Sequence, residues 1–256
     1  MRYLLSLLAL FLALAAQAEQ GREEVVLGLS QTRVSISTNF DGSEVLVFGA
    51  IKRETQIPRQ PLEVIVTIAG PSEPLIVRRK DRRVGIWINT AENRIDSAPS
   101  YYAVATSGPL KEVLRDTEDL RHKITITRAI RSVGAPADIG DARVFTRALI
   151  RIRQKNGLYQ TLEGAVKVDQ QTLFRTSIAL PANLTEGPYR TRVFLTRGGH
   201  VISTFETEID VYKVGIERFL YKLSRNQPLS YGLLSLAIAI VAGWTASAVF
   251  RFLRQG

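Results

Sequence analysis

The sequence predicts a mainly β protein, with one or more immunoglobulin-like β-sandwich regions interrupted by a helical segment and followed by a single C-terminal transmembrane helix. Three observations carry this. Short β-branched runs, separated by Gly, Pro and Asn turn signals roughly every eight to twelve residues, fill the chain from Glu24 to Thr106 and return after Gly157. The stretch between them has helical periodicity instead. Near the end, Tyr231–Phe250 (YGLLSLAIAIVAGWTASAVF) runs for twenty residues without a charge, bracketed by Lys222 and Arg225 before and Arg251 and Arg254 after. An α-helix needs roughly 20 such residues to cross a ~30 Å hydrocarbon core.

The chain opens with MRYLLSLLALFLALAAQAEQ: one positive charge, an apolar run from Tyr3 to Ala16, and small residues at Ala16 and Ala18. This is the pattern of a secretory leader cut after Ala18. The rival reading, an uncleaved anchor, suits neither the short apolar run nor its small-residue exit. A cleaved leader and a late stop-transfer helix put the body outside the cytoplasmic membrane and the C-terminus inside. On charge alone Arg218, Lys222 and Arg225 outnumber Arg251 and Arg254, but large domains translocate largely regardless of such charges.

In the first β region Val34 and Ile36 alternate with polar residues, and Asn39–Ser43 supplies a turn in which Gly42 can take positive φ. Glu44–Ile51 (EVLVFGAI) and Glu63–Ala69 (EVIVTIA) follow, separated by Pro58 and Pro61. Leu75–Arg78 and Val84–Asn89 then flank a charged tip at Arg79–Arg83, with Val84, Ile86 and Ile88 on one face and Trp87 on the other. Tyr101–Thr106 closes a set of about seven strands. Pro109 opens a helical pattern through Leu110, Val113, Leu114 and Thr117. A clearer helix spans Asp141–Asn156, where Val144, Phe145, Ala148, Leu149 and Ile152 share one arc, Asp141 caps the start and Gly157 ends it. Arg143, Arg147, Arg151 and Arg153 line its other side, either as a solvated face or as a contact face for acidic lipid or an acidic partner.

After Gly157 the β pattern resumes. Leu173–Leu180 leads through LPANLTEGPYR (Leu180–Arg190) into Arg192–Thr196, a lead-in common where a strand crosses from one sheet of a sandwich to the other with a tyrosine covering the core edge. Gly198–Gly199 makes the next hairpin, and Val201–Val211 is the return strand. About five strands fit here, either as a small second sandwich or sharing a sheet with the first. Val214–Leu223 places Ile216, Phe219, Leu220 and Leu223 beside Arg218 and Lys222 as a short interfacial helix. The expected organisation is a signal peptide (1–18), a β-sandwich domain (19–107), a helical connecting segment (108–157), a second β region (158–213), an interfacial helix with linker (214–228), a transmembrane helix (229–250) and a cytoplasmic tail (251–256).

Six segments in this order, EEVVLGLS (Glu23–Ser30), VFGAI (Val47–Ile51), RRKDRRVGIWIN (Arg78–Asn89), PSYYAVATSGPL (Pro99–Leu110), LFRTSIALPANL (Leu173–Leu184) and GWTASAVFR (Gly243–Arg251), resemble an alphaproteobacterial family of transmembrane proteins of uncharacterised function. The resemblance covers nearly the whole mature chain. It implies a signal peptide, a periplasmic β-rich region and one C-terminal span in the inner membrane, and it brings no catalytic residues.

Composition removes several chemistries. With no cysteine there are no disulfides, thiolate metal sites or thiol nucleophiles. The two histidines, His122 beside Arg121 and Lys123 and His200 after Gly198–Gly199, read as exposed and unrelated, with no triad or metal-ligand spacing. Acid pairs such as Glu23–Glu24 and Glu118–Asp119 read as solvated, and no phosphate-cradling glycine loop follows a strand. Catalytic, metal and cofactor sites are therefore expected to be absent. The formal charge is +10, and setting aside Arg2, Arg251 and Arg254 still leaves seven net positive charges, which favours anionic lipid or an acidic partner. The topology puts that charge outside the cytoplasm, away from nucleic acid. The candidate contact residues are Arg78, Arg79, Lys80, Arg82 and Arg83 at the basic tip and Arg143, Arg147 and Arg151 on the helix. In the span Ser235, Ala239, Gly243 and Ser247 recur every fourth residue, either as a helix-packing seam or as ordinary span composition. Two functions follow: a membrane-anchored periplasmic accessory module for a membrane partner (a transporter, an envelope complex or a second copy), or a binding module for a small anion or acidic lipid head group. An enzyme is the third and least supported reading.

Overall fold

The structure, a computed structural model, describes residues 23–37, 40–53, 58, 60–132, 142–214, 220 and 223–254. The leader, Asn39, Asp141 and most of the proposed interfacial helix lie outside the described residues. Seven strands precede the helical segment: β1 (Glu24–Leu29), β2 (Arg33–Ile36), β3 (Gly42–Lys52), β4 (Glu63–Ala69), β5 (Ser72–Arg83), β6 (Ile86–Pro99) and β7 (Tyr102–Thr106). Four helices follow: α1 (Leu110–Val113), α2 (Asp116–His122), α3 (Ile126–Ala129) and α4 (Ala142–Lys155). Then come β8 (Tyr159–Leu162), β9 (Lys167–Asp169), β10 (Leu173–Pro181), β11 (Gly187–Arg197), β12 (His200–Lys213) and the apolar helix α5 (Pro228–Arg254). The protein is mainly β with one long apolar C-terminal helix.

The chain forms two compact units. One holds residues 41–211 together with the stretch through Val34, and the other joins Ser35–Phe40 to the chain from Tyr212 onward. In the first unit the strands form a four-stranded sheet in the order β1-β3-β10-β9, a six-stranded sheet in the order β2-β12-β11-β4-β7-β8, and a separate β5-β6 hairpin. The two β stretches of the sequence, 19–107 and 158–213, thus share both sheets, because β3 pairs with β10 and β4 with β11. Each of β3 and β4 has backbone N–H and C=O groups on two edges; β1 and β7 satisfy one edge and β10 and β11 the other.

Register assigns the faces. In the four-stranded sheet Val25, Val45, Val47, Ile51, Phe174, Ile178 and Leu180 are buried on one face, while Val26, Leu46, Phe48 and Leu173 on the other are exposed. In the six-stranded sheet both faces of the central strands are buried, so that β4 and β7 read as continuous apolar runs. One of those faces meets the four-stranded sheet, where the Tyr101 hydroxyl donates to the Ala179 carbonyl of β10 at 2.9 Å. The opposite face carries Tyr102, whose hydroxyl donates to the Ile124 carbonyl at 2.9 Å, and so meets the helical segment. β7 and β8 run parallel, which requires a crossover connection; α1 to α4 are that crossover.

The chain passes from β10 in one sheet to β11 in the other through the segment LPANLTEGPYR. Tyr189, fully buried at its end, donates its hydroxyl to the Thr185 carbonyl four residues upstream at 2.9 Å, and its ring lies 6.0 Å from that of Tyr101. Burial pushes both phenols above their ordinary range. At the far end of the same sheet Gly198 and Gly199 take φ of 58° and 80°, the two-residue turn that matches strand twist. At the start of the described chain Glu23 is buried between Arg53 (2.6 Å) and Arg197 (3.1 Å), tying the approach to β1 to the ends of β3 and β11.

Several expectations are corrected. The charged stretch Arg79–Arg83 is not a turn: β5 continues through it, and the turn is Val84–Gly85, with φ of 49° and 84°. Glycine at the second position permits a two-residue turn, so the strand had no need of a polar loop. Pro109 stands at the N-cap of α1, one residue before the first helical position, and α1 stops at Val113, so that Thr117 belongs to α2. The helix read from Asp141 is α4, and Gly157 ends it at φ of 71°. It buries Phe145 and Leu149 but leaves Val144 and Ile152 about half exposed.

In the second unit the Val214 amide donates to the Ile36 carbonyl at 2.8 Å, and α5 is long and apolar enough over Pro228–Ser247, with mean hydropathy 1.7, to cross a membrane.

Two stability predictions follow from these contacts. Tyr189→Phe, which leaves the Thr185 carbonyl without its donor, should lower stability by about 1–3 kcal/mol in chemical denaturation. Burial alone would raise the Glu23 carboxyl, but hydrogen bonds from Arg197 and Arg53 outweigh it and hold its pKa below the usual carboxylate range. Its stabilising contribution is therefore complete above the ordinary value of 4.5 and fades as pH falls through the depressed folded value. Glu23→Gln should cost about 1–3 kcal/mol near neutrality, since the arginines keep the Gln171 and Gln60 carbonyls as partners, and the difference from the native chain should shrink in acid.

Candidate functional site

The basic tip is the distal end of the β5-β6 hairpin. Two register shifts interrupt its ladder, one between Glu73 and Leu75 and one between Arg79 and Lys80. The first falls at Pro74, which has no amide to give. The second leaves Thr90 unpaired, and its hydroxyl donates to Asp81 at 2.8 Å. The base is held by a reciprocal pair of backbone hydrogen bonds between Ser97 and Arg131 and by burial of Asn93, Ile95 and Ala98. Beyond it every residue from Arg82 to Asn89 is exposed. Arg78 pairs with Glu92 at 3.0 Å and Arg79 lies 3.6 Å from Asp81, both in exposed geometry. Lys80 pairs in register with Asn89, Arg82 with Trp87, and Arg83 with Ile86. The fold therefore gathers the five predicted cations on one finger and adds Val84, Ile86, Trp87 and Ile88 to them as exposed apolar side chains.

The arginines of α4 stand apart from that tip. Arg143, Arg147 and Arg151 are exposed, and Arg143 and Arg147 line a groove of about 710 Å³ between α3 and α4 that Arg128 and Thr127 complete. Arg153, read with the same row, turns inward and donates to the Ser100 carbonyl at 3.1 Å. In α5 Ser235, Ala239, Gly243 and Ser247 are all exposed along the helix, and the Ser235 hydroxyl donates to the Tyr231 carbonyl of its own helix at 2.9 Å.

The two histidines are not unrelated, and Glu118 and Asp119 are not solvated. Both carboxylates are buried at α2. Asp119 accepts from the Ile124 and Thr125 amides at 3.0 and 2.8 Å and from the Thr125 hydroxyl at 2.7 Å, building the α2–α3 turn. Glu118 lies 3.5 Å from His122 Nε2, 3.9 Å from His200 Nδ1 and 3.3 Å from Arg121. The His122 ring meets the Phe194 ring edge-on at 5.7 Å, and Arg115 reaches His200 Nε2. Arg192 donates to the His122 carbonyl at 2.8 Å and the Lys123 carbonyl at 3.2 Å, serving as a cation at the negative end of α2. Beside it Lys123, Arg190 and Glu208 open on a cleft of about 330 Å³. The signal available in the sequence was the run D-T-E-D-L-R-H-K, whose acids open the helix and whose bases close it. Glu23 likewise is a buried ion-pair partner, while its neighbour Glu24 is exposed. Among the described residues no three His, Asp or Glu side chains are grouped as metal ligands.

The sequence profile of a protein family described as putative transmembrane protein (Alph_Pro_TM) matches residues 24–252. No curated protein matches the chain.

The exposed tip cations make few contacts that hold the fold. Replacing Arg78, Arg79, Arg82 and Arg83 together by serine should leave the thermal unfolding midpoint within a few degrees of the native value, since exposed pairs contribute about 0–1 kcal/mol each. Cooperative unfolding lost in this variant would show these arginines to be structural.

Proposed function

Because this chain belongs to the alphaproteobacterial transmembrane family matched over residues 24–252 and carries one apolar C-terminal helix, we propose that it is a single-span accessory protein of the cytoplasmic membrane. Its β unit stands in the periplasm and its C-terminal tail in the cytoplasm, after removal of residues 1–18. It assists a membrane partner by contact and catalyses nothing. The observation that carries this reading is the outer face of the four-stranded sheet. Val26, Leu46, Phe48 and Leu173 are 39–59% exposed there on three adjacent strands, with Arg175 and Ser177 beside them. Isolated apolar side chains are ordinary on a surface, but a contiguous patch with a polar rim supports a contact surface, here assigned to the membrane partner.

The reading of the sandwich as immunoglobulin-like draws support from the sheet-to-sheet crossing and from the Tyr189 hydroxyl bonding back to Thr185, the arrangement known from such folds as a tyrosine corner. For the span, the strip through Ser235, Ala239, Gly243 and Ser247 allows close approach of a second helix, which in lipid is a main route to association.

The orientation predicts that a reporter fused after Gly256 is active only if it works in the cytoplasm, and one inserted at the Asp41–Gly42 turn only if it works in the periplasm; the reverse pattern overturns the topology. Gentle solubilisation and affinity purification should yield a stoichiometric membrane-protein partner or a second copy. That association should fall sharply with Val26→Ser/Phe48→Ser, or with Ala239→Leu/Gly243→Leu, which keeps the span apolar but fills the seam. Association unchanged in both variants would place the contact elsewhere. The second reading, binding of acidic lipid head groups, is favoured by the charged and apolar finger.

A further inference from the structure

We propose that the tip of the β5-β6 hairpin is a finger that inserts into the interface of a bilayer containing anionic lipid. Three observations point there. The distal residues Arg82 to Asn89 are all exposed and carry no acid, whereas Trp87 and Ile86 are 68% and 64% exposed and Val84 at the summit is wholly so. Next, Val84 occupies the first position of the turn at φ of 49°. Asn or Gly is the usual residue there, and a β-branched side chain in that conformation is an outlier. The valine meets no packing partner that would compensate, and burial in a surrounding apolar medium would offset that cost. Finally, charge follows position. Asp81 is engaged by Thr90 and lies near Arg79, and Glu92 pairs with Arg78, so the acids stay at the finger's middle. Arg82 and Arg83 stand closer to the summit than either acid, with Lys80 just behind Asp81, and the Arg82 Nε contact to Gly85 O is long at 3.4 Å.

The shape selects a fluid surface over a protein groove. A groove would take one face of the hairpin, with alternate side chains in its pockets and the other face wet. Here the apolar groups surround the end. Ile86 and Ile88 lie on one face with Arg83 and, further from the end, the Thr90-engaged Asp81; Trp87 lies on the other with Arg82 and Lys80, and Val84 caps them. Indole at head-group depth with arginine and lysine reaching up to phosphates is the combination that suits an interface. Depth is limited by the backbone. The outward N–H and C=O groups of a two-stranded ribbon have no partners within hydrocarbon, so the tip stops in the first ~5–10 Å, where water remains.

Affinity need not be high. The strands reach roughly 40 Å from base to turn, and the β unit is tethered to α5 by the short stretch between Lys213 and Pro228. The bilayer is thus held at high effective concentration. This inference rests on the membrane-anchored reading above and names the lipid class that its second form requires.

The test uses the full chain with Trp244→Phe, which makes Trp87 the sole tryptophan, reconstituted into phosphatidylcholine vesicles with or without phosphatidylglycerol. With phosphatidylglycerol, Trp87 emission should shift to the blue, be quenched by lipids brominated on their acyl chains and become shielded from aqueous acrylamide; added salt should weaken all three. Lys80→Ser/Arg82→Ser/Arg83→Ser should lose the lipid dependence. Val84→Asn places the favoured residue in the turn, so it should keep or raise the unfolding midpoint while losing the blue shift and lipid quenching. Val84→Asn behaving as the native tip, or Trp87 staying open to acrylamide in anionic vesicles, overturns the proposal. Shielding found in native membranes but absent in lipid alone would assign the tip to a protein. Release of the chain by alkaline carbonate would instead remove the anchored reading itself.

Discussion

The fold depends on the burial of two tyrosines where the chain changes sheets. Tyr101 enters β7 of the six-stranded sheet with its hydroxyl on the Ala179 carbonyl of the four-stranded sheet, and Tyr189 opens β11 with its hydroxyl on Thr185. Each hydroxyl is satisfied by a carbonyl, so the rings can be wholly buried without an unpaired polar atom. The two rings touch, so the position of one sheet over the other is set where LPANLTEGPYR crosses. Register then follows: β10 lies on β3 with the apolar alternation of both falling inward, and β11 lies on β4, whose two faces are both covered.

The helical segment is subordinate to this arrangement. Its role is to carry the chain from β7 to the parallel β8 while covering the outer face of the six-stranded sheet, and it is stabilised by groups that point back at that sheet. Asp119 closes the α2–α3 turn, Arg192 of β11 reaches the α2 C-terminus, and the Tyr102 hydroxyl meets the Ile124 carbonyl. Buried charge in this layer is therefore structural pairing. The convergence of His122 and His200 on Glu118 belongs to the same pattern, joining α2 to the start of β12.

Much of this was legible because it is local. The crossing segment, the Gly198–Gly199 turn, the helix ended by Gly157 and the uncharged run of the span each declare themselves through a few adjacent residues whose backbone preferences allow one structure. The failures share a cause as well. Arg79–Arg83 looks like a loop because five charges in a row have no reason to be a strand until Gly85 supplies the turn beyond them. Asp119 and Glu118 look solvated although part of their pairing is local, Thr125 in the next turn and His122 one helical turn on; what no local pattern encodes is the sheet that covers them and brings in His200. The contact surfaces were only half visible: the cations of the hairpin announced themselves by charge, but exposure of Val84 and Trp87 follows from the hairpin standing apart from both larger sheets, and exposure of Phe48 from the face of β3 left uncovered once β3 and β10 meet across more than a hundred residues.

That long separation has a kinetic side. β3 and β4 find their partners β10 and β11 only after the helices and β8 have been made, so neither sheet can close while the first half of the chain is being synthesised. Long-range antiparallel pairing is slow to form, and unpaired β-branched strands such as EVIVTIA are templates for association with other chains. The completed β12 is followed after only a short stretch by the apolar helix. The moment at which the core becomes closable is thus nearly the moment at which the chain acquires its anchor, and a nascent molecule would have to be kept apart from its neighbours until both have emerged.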